Sequence, residues 1–158
     1  MSVFLDTNVL VSAFTARGLC ADLFRYLLAE HHIMTGEVNL LELQRVLAER
    51  FQAADDQLAG VVGQLRDQVV VPRPAEPAGV RLCRRDDAWV LASAVAGAAD
   101  VLVTGDEDLL AIAARAPLPI VTPRAAWERL RDRHVSPPRR SRTGEAGYVS
   151  RASHWSGE

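Results

Sequence analysis

Two short apolar runs in this sequence each end on an acidic turn. Val3-Phe4-Leu5 gives way to Asp6-Thr7-Asn8, and Val101-Leu102-Val103 gives way to Thr104-Gly105-Asp106. Both runs are β-prone, and a stretch of helical character follows each turn, from Val9 to Phe14 and from Glu107 to Arg115. The alternation continues between and beyond them. Ala21 to Glu30 reads as a helix with Leu23, Leu27 and Leu28 on one face, and His31 to Thr35 as a short strand. Glu37 to Arg50 is predicted helical through the stripe Leu40, Leu43 and Leu47; Asp55 to Asp67 is a further helix. Gln68 to Val71 reads as a strand stopped by Pro72, and the three prolines between Pro72 and Gly79 mark a connector. Asp86-Asp87 then opens a strongly apolar helix through Ala98. Leu118 to Val121 is predicted as the last strand, and Pro123 to Arg131 as a final helix with proline at its start. Strands and helices alternating at this spacing predict an α/β fold with a parallel sheet covered on both faces.

Composition narrows the chemistry. The 158 residues are 49% hydrophobic and 24% charged, which fits a single domain of the usual ~100–200 residues and excludes disorder throughout. The longest uncharged stretch, Ala88 to Ala99, has 12 residues, short of the ~20 that a membrane-spanning helix needs. The opening residues lack a basic segment before an apolar run, and Cys20 and Cys83 have neither metal-ligand nor redox spacing. No secretory signal and a cytoplasmic location are therefore expected. All 18 cationic side chains are arginine, with no lysine anywhere. A P-loop and Schiff-base chemistry both require lysine, so both classes are out. Charge is also uneven: residues 131–158 hold six Arg against three acids, whereas residues 1–130 hold 12 Arg against 17 acids. From Val135 onward periodicity is lost in a run rich in Pro, Ser and Arg. The folded domain is expected to occupy residues 1–133, followed by a basic, disordered tail over 134–158.

In open parallel sheets, ligands bind beyond the carboxyl ends of the strands, where strand order switches direction. Asp6 and Asp106 each follow a predicted strand, and Asp87 lies in the first turn of the helix leading into the second of these strands. Glu42 sits between Leu41 and Leu43, beside the apolar stripe of its helix. These four acids are 36, 45 and 19 residues apart, so only folding could assemble them. Carboxylates converging without a His, Cys or Lys partner suit a hard divalent cation such as Mg²⁺, which prefers oxygen ligands. Packed together without a metal, they would raise one another's pKa values. Each also has a simpler role. Asp6 suits a helix N-cap, Asp87 complements a helix dipole, Glu42 suits a solvated helix face, and Asp106 and Asp108 suit a turn or helix start. Those roles do not explain why two strand ends both close on Asp.

Taken together, these segments resemble PIN-domain nucleases. Phe4-Leu5-Asp6-Thr7-Asn8-Val9-Leu10-Val11-Ser12-Ala13 resembles the family's opening motif, and Leu40-Leu41-Glu42-Leu43-Gln44-Arg45-Val46-Leu47 its second. Asp87-Ala88-Trp89-Val90-Leu91-Ala92-Ser93-Ala94 resembles the third, and Val103-Thr104-Gly105-Asp106-Glu107-Asp108-Leu109-Leu110 the fourth. The branch most similar is the VapC-like toxin component of bacterial type II toxin–antitoxin systems. The resemblance spans about Val3 to Leu130, with Asp87 preferred over Asp86 because the apolar helix is phased from it. It implies a three-layer α/β/α sandwich around a parallel sheet of about five strands. It implies endoribonuclease activity dependent on Mg²⁺ or Mn²⁺, with Asp6, Glu42, Asp87 and Asp106 as the catalytic, metal-binding acids and Asp108 as a further ligand. Asn8 and Thr104 resemble residues that orient the acids and substrate. RNA as substrate, a cognate antitoxin as partner and a homodimeric state are implied as well.

An acidic body repels a polyanion, so bound metal or local arginines must compensate. Arg17, Arg84 and Arg85 are candidates near the predicted active edge, and the tail arginines could also meet phosphate. Two rival functions stay open. A phosphate-ester hydrolase could use Asp6 as nucleophile, although such enzymes resembling haloacid dehalogenases carry a second Asp where this chain has Asn8, and a Lys that it lacks. A PIN-like module that only binds RNA or protein would have lost acids, yet all four are present.

Overall fold

The structure is a computed structural model that describes residues 1–79 and 85–135, the side chains of Arg85 and of residues 133–135 excepted. Five strands form one sheet: β1 (Ser2–Leu5), β2 (His32–Gly36), β3 (Val69–Val71), β4 (Val101–Val103) and β5 (Ile120–Val121). All pairings are parallel, in the order β3-β2-β1-β4-β5. The chain therefore builds outward from β1 to one side, then crosses back to add β4 and β5 on the other. The switch point lies between β1 and β4, where Leu5 is in register with Val103.

Side-chain alternation on the strands builds two cores, one on each face. Val3 and Leu5 of β1, Ile33 of β2, Val101 and Val103 of β4 and Val121 of β5 share one core. That face is covered by α1 (Thr7–Thr15), α2 (Leu19–Glu30), α3 (Glu37–Phe51), α4 (Asp55–Arg66) and α7 (Pro123–Val135). Phe4, Met34, Val71, Leu102 and Ile120 point the other way, onto α5 (Arg85–Ala96) and α6 (Glu107–Ala111). The result is the three-layer α/β/α sandwich around a five-stranded parallel sheet. Leu40, Leu43 and Leu47 are all buried, as their spacing on α3 requires. Among the described residues no helix is long and apolar enough to cross a membrane.

Several element ends depart from expectation for local reasons. α1 starts at Thr7 rather than Val9, because the Asp6 carboxylate accepts from the Thr7 N–H and caps the helix there. α2 starts at Leu19 rather than Ala21, after Gly18, whose φ of +139° is open to glycine alone among common residues. The helix expected over 107–115 breaks into α6 and a 3-10 turn at Ala113–Arg115. Leu109 and Ile112 both enter the core there, and the tighter i, i+3 bond from Arg115 N–H to the Ile112 carbonyl keeps that face aligned. The last strand is shorter than Leu118 to Val121: Pro119 has no N–H to give a ladder, although its carbonyl accepts from Leu102. α7 runs on past Arg131 to Val135. The rest of the segment expected as a tail, 136–158, lies outside the described residues.

Candidate active site

Asp6 stands at the switch point, directly after β1. Its backbone N–H continues the sheet by donating to the Val103 carbonyl of β4, so the next turns of β1 and β4 are held side by side. The side chain is buried and accepts hydrogen bonds on both oxygens. Oδ1 takes the Thr7 N–H at 2.7 Å and Asn39 Nδ2 at 3.1 Å; Oδ2 takes Thr104 Oγ1 at 2.7 Å and Asn8 Nδ2 at 3.3 Å. Burial nevertheless dominates and pushes the Asp6 carboxyl up from 3.8 to about 6. The Thr104 and Thr7 hydrogen bonds pull it down, while the nearby charges of Glu42 and Asp106 push it up again. Burial therefore outweighs the donors around this carboxyl, and the like charges nearby add to it.

Thr104, fully buried, links the two strand ends. Its single O–H goes to Asp6, so the same oxygen is left to accept from the Asp106 N–H at 2.9 Å. Asn8 adds a second link, with its Oδ1 accepting from the Gly105 N–H at 3.0 Å. Asp106 caps α6 by accepting from the Asp108 and Leu109 N–H groups. Both strand-end acids are thus helix caps and cleft residues at once.

Four elements bring carboxylates to one cleft of about 640 Å³. It is lined by Asp6 from the end of β1, Glu42 from α3, Asp86 and Asp87 from α5, and Asp106 from the end of β4. Asp87 is buried and Glu42 half-buried, whereas Asp86 is exposed. A tighter set lies within this edge: one carboxylate oxygen from each of Asp87, Asp106 and Asp108 lies within 4.8 Å of the others. Asp108 faces mainly the adjoining hollow with Asn8, Ser12 and Cys20. The donors are all hard oxygens, the type that Mg²⁺ and Mn²⁺ take, so the residues present fit a divalent cation.

The predicted cations fare differently. Arg17 is exposed on the α1–α2 connector and does not line the cleft. Arg84 lies outside the described residues, as does the Arg85 side chain at the start of α5. The cleft is instead flanked by Arg45 and Arg50 of α3. Sequence reasoning also missed Asn39. It is fully buried, donates to both Asp6 and Thr7 Oγ1, and its Oδ1 has no hydrogen-bond partner among the described residues. The signal was an amide beside Leu40 on the buried stripe of α3, where a polar side chain needs a partner.

Comparisons with known proteins find the same fold. Among solved structures, VapBC-1 from nontypeable Haemophilus influenzae is 20% identical with a TM-score of 0.56, over 78% of this chain and 99% of that one. VapBC2 from Rickettsia felis, solved bound to a DNA fragment from its promoter, is 18% identical with a TM-score of 0.56, over 77% and 98%. VapC20 of Mycobacterium tuberculosis, a toxin that cleaves the sarcin–ricin loop, is 18% identical with a TM-score of 0.52, over 69% and 93%. At these identities the likeness is one of fold. No curated protein matches the sequence. The family model for the PIN domain, however, matches residues 2–108, a span holding all of the clustered acids and most of the chain, and the protein belongs to the PIN-domain family.

Proposed function

We propose that this protein is a divalent-metal-dependent endoribonuclease, the toxin of a toxin–antitoxin pair, acting as a homodimer on RNA in the cytoplasm. The observation that carries the reading is the convergence of Asp6, Glu42, Asp87 and Asp106 on one cleft, with the Asp6 carboxyl pushed up to about 6 by burial and by its acidic neighbours. Such an arrangement is costly unless a cation shares it. Asp87, Asp106 and Asp108 would hold Mg²⁺ or Mn²⁺, with Asp6 and Glu42 facing the same space. A cation bound there would activate water and neutralise charge on a phosphodiester. The chain's own part is positional. Thr104 fixes Asp6 and the Asp106 backbone through one hydroxyl, while Asn8 and Asn39 fix the Asp6 carboxylate from its two ends.

The rival use of Asp6 as a nucleophile is less well supported, because both of its oxygens are already engaged by donors and the side chain is buried. The toxin role is supported by family membership and by the fold shared with the VapBC structures. Cleavage of single-stranded RNA should require Mg²⁺ or Mn²⁺, stop in EDTA, and fall by about 10²-fold or more in Asp106→Asn. Mg²⁺ should also raise the melting temperature of the wild type, and less so that of the variant, by binding the native state. Full cleavage in EDTA would overturn the mechanism. Unimpaired growth on strong expression of the active protein would remove the toxin role alone.

A further inference from the structure

Arg73 is held more tightly than a surface arginine needs to be. It lies between Pro72 and Pro74, which restrict the backbone on both sides. Its N–H donates to Glu37 Oε2 at 3.0 Å, tying the loop to the start of α3. Its guanidinium lies over the ring of Trp89 on α5, 4.2 Å from the centroid. Yet no carboxylate pairs with the guanidinium among the described residues. The loop fixes the backbone and Trp89 fixes the guanidinium, which places a cation without a counter-ion where an anionic ligand could meet it.

The surroundings suit one. Arg73 and Trp89 line a groove of about 410 Å³ with Arg45, Leu41, Glu42 and Asp86. Glu42, Arg45 and Asp86 also line the acidic cleft, so groove and cleft are continuous. Among the described residues Arg45 has only an exposed, 3.6 Å contact with Glu49, a pairing that a stronger anion displaces readily. An anionic strand running from the cleft would meet two arginines just after the acids, in a body otherwise rich in negative charge.

We propose that Arg73, stacked on Trp89, and Arg45 across the groove form a subsite for the backbone phosphate next to the scissile one in single-stranded RNA. The proposal rests on the nuclease reading of the cleft. Stacking fixes the guanidinium plane while leaving its edge N–H groups for two phosphate oxygens. It also keeps the cation from collapsing onto Glu42 or Asp86.

The test uses the full chain and two RNAs, a short single strand and a dinucleotide whose only phosphate is the scissile one. In EDTA, Arg73→Gln should weaken binding of the longer strand about tenfold, the loss expected for one charge-assisted hydrogen-bonded pair. The slope of log K against log salt should flatten by about 0.7. With Mn²⁺, KM for the longer strand should rise while kcat holds, and kcat/KM for the dinucleotide should not change. Arg45→Gln should act in the same direction, and Trp89→Leu should weaken binding by loosening Arg73. Unchanged affinity and slope in Arg73→Gln would overturn the subsite and leave this groove to an acidic protein segment. An equal loss on the dinucleotide would also overturn it, by showing a structural effect on the cleft. If Arg73→Gln weakens binding as expected but the wild type cleaves neither RNA with any divalent metal, the nuclease reading fails and with it the place beside a scissile phosphate, while Arg73 and Arg45 still hold an RNA backbone phosphate.

Discussion

Asp6 shows how one side chain can be legible while the groups that hold it are not. Its position after an apolar run suits both a helix cap and a site acid; in the structure it caps α1 and lines the cleft. Its neighbours were less visible. Asn39 and Arg73 reach the site only through the packing of α3 and of the Pro72–Pro74 loop, and no spacing in the sequence links either to Asp6 or Trp89. The raised Asp6 carboxyl has a consequence for stability. Between pH 3.8 and about 6 the native protein holds a proton that the unfolded chain has lost. Stability from this group therefore falls as pH rises through that window, and the full penalty, on the order of 2–3 kcal/mol, applies above it. Chemical denaturation of metal-free wild type and Asp6→Asn should show this. The difference between them should move in favour of the variant from pH 4 to 7.5, whatever fixed offset the lost acceptor causes. A pH-independent difference would remove burial as the controlling cause.

At the scale of elements, the helices and strands were readable wherever apolar periodicity was strong, as on α3 and in β1 and β4. Their mutual contacts were not, since periodicity names a buried face without naming what covers it. Gly36, the last residue of β2 and the N-cap of α3, is such a contact. A Cβ there would sit 2.9 Å from Asn39 Oδ1 and 3.0 Å from both Cβ and Oγ of Ser93 on α5. Backbone conformation is not the issue, as φ is −103°. The close approach lets α3, which carries Glu42, and α5, which carries Asp87, meet over the end of β2. Gly36→Ala should therefore cost about 1–3 kcal/mol by overpacking. It should also lower RNA cleavage, because Asn39 must shift and it holds Asp6. Gly60→Ala on α4 is the control: nothing lies within 4 Å of its Cβ, and helix propensity should make it neutral or stabilising. Equal effects from the two substitutions would mean that the approach at Gly36 has slack.

For the whole molecule, alternation of strands and helices pointed to the layered α/β class, but the order β3-β2-β1-β4-β5 rests on long-range pairing that local pattern does not encode. That order places β1 beside β4, and so it alone turns two distant Asp-terminated strands into one site. Charge distribution was readable from the start, and it bears on the last 23 residues, 136–158. Arg139, Arg140, Arg142 and Arg151 fall there, with little apolar content to offset an ordering cost of ~1–2 kcal/mol per residue. The described core residues extend no further than Leu130. A chain ending at Val135 should then fold with an unchanged melting temperature and cleave the dinucleotide at the wild-type rate, since every clustered acid remains. Its affinity for longer RNA should drop, with the salt slope flattening by about 0.7 for each phosphate that the shortened chain no longer neutralises. Combining this truncation with Arg73→Gln separates the two sources of binding. If groove and tail meet different phosphates, their slope changes add; if the second change has no further effect, both act on the same stretch of RNA. Failure of the shortened chain to fold would instead show that these residues pack against the domain, and their arginines would then have to be counted with the body when its repulsion of RNA is reckoned.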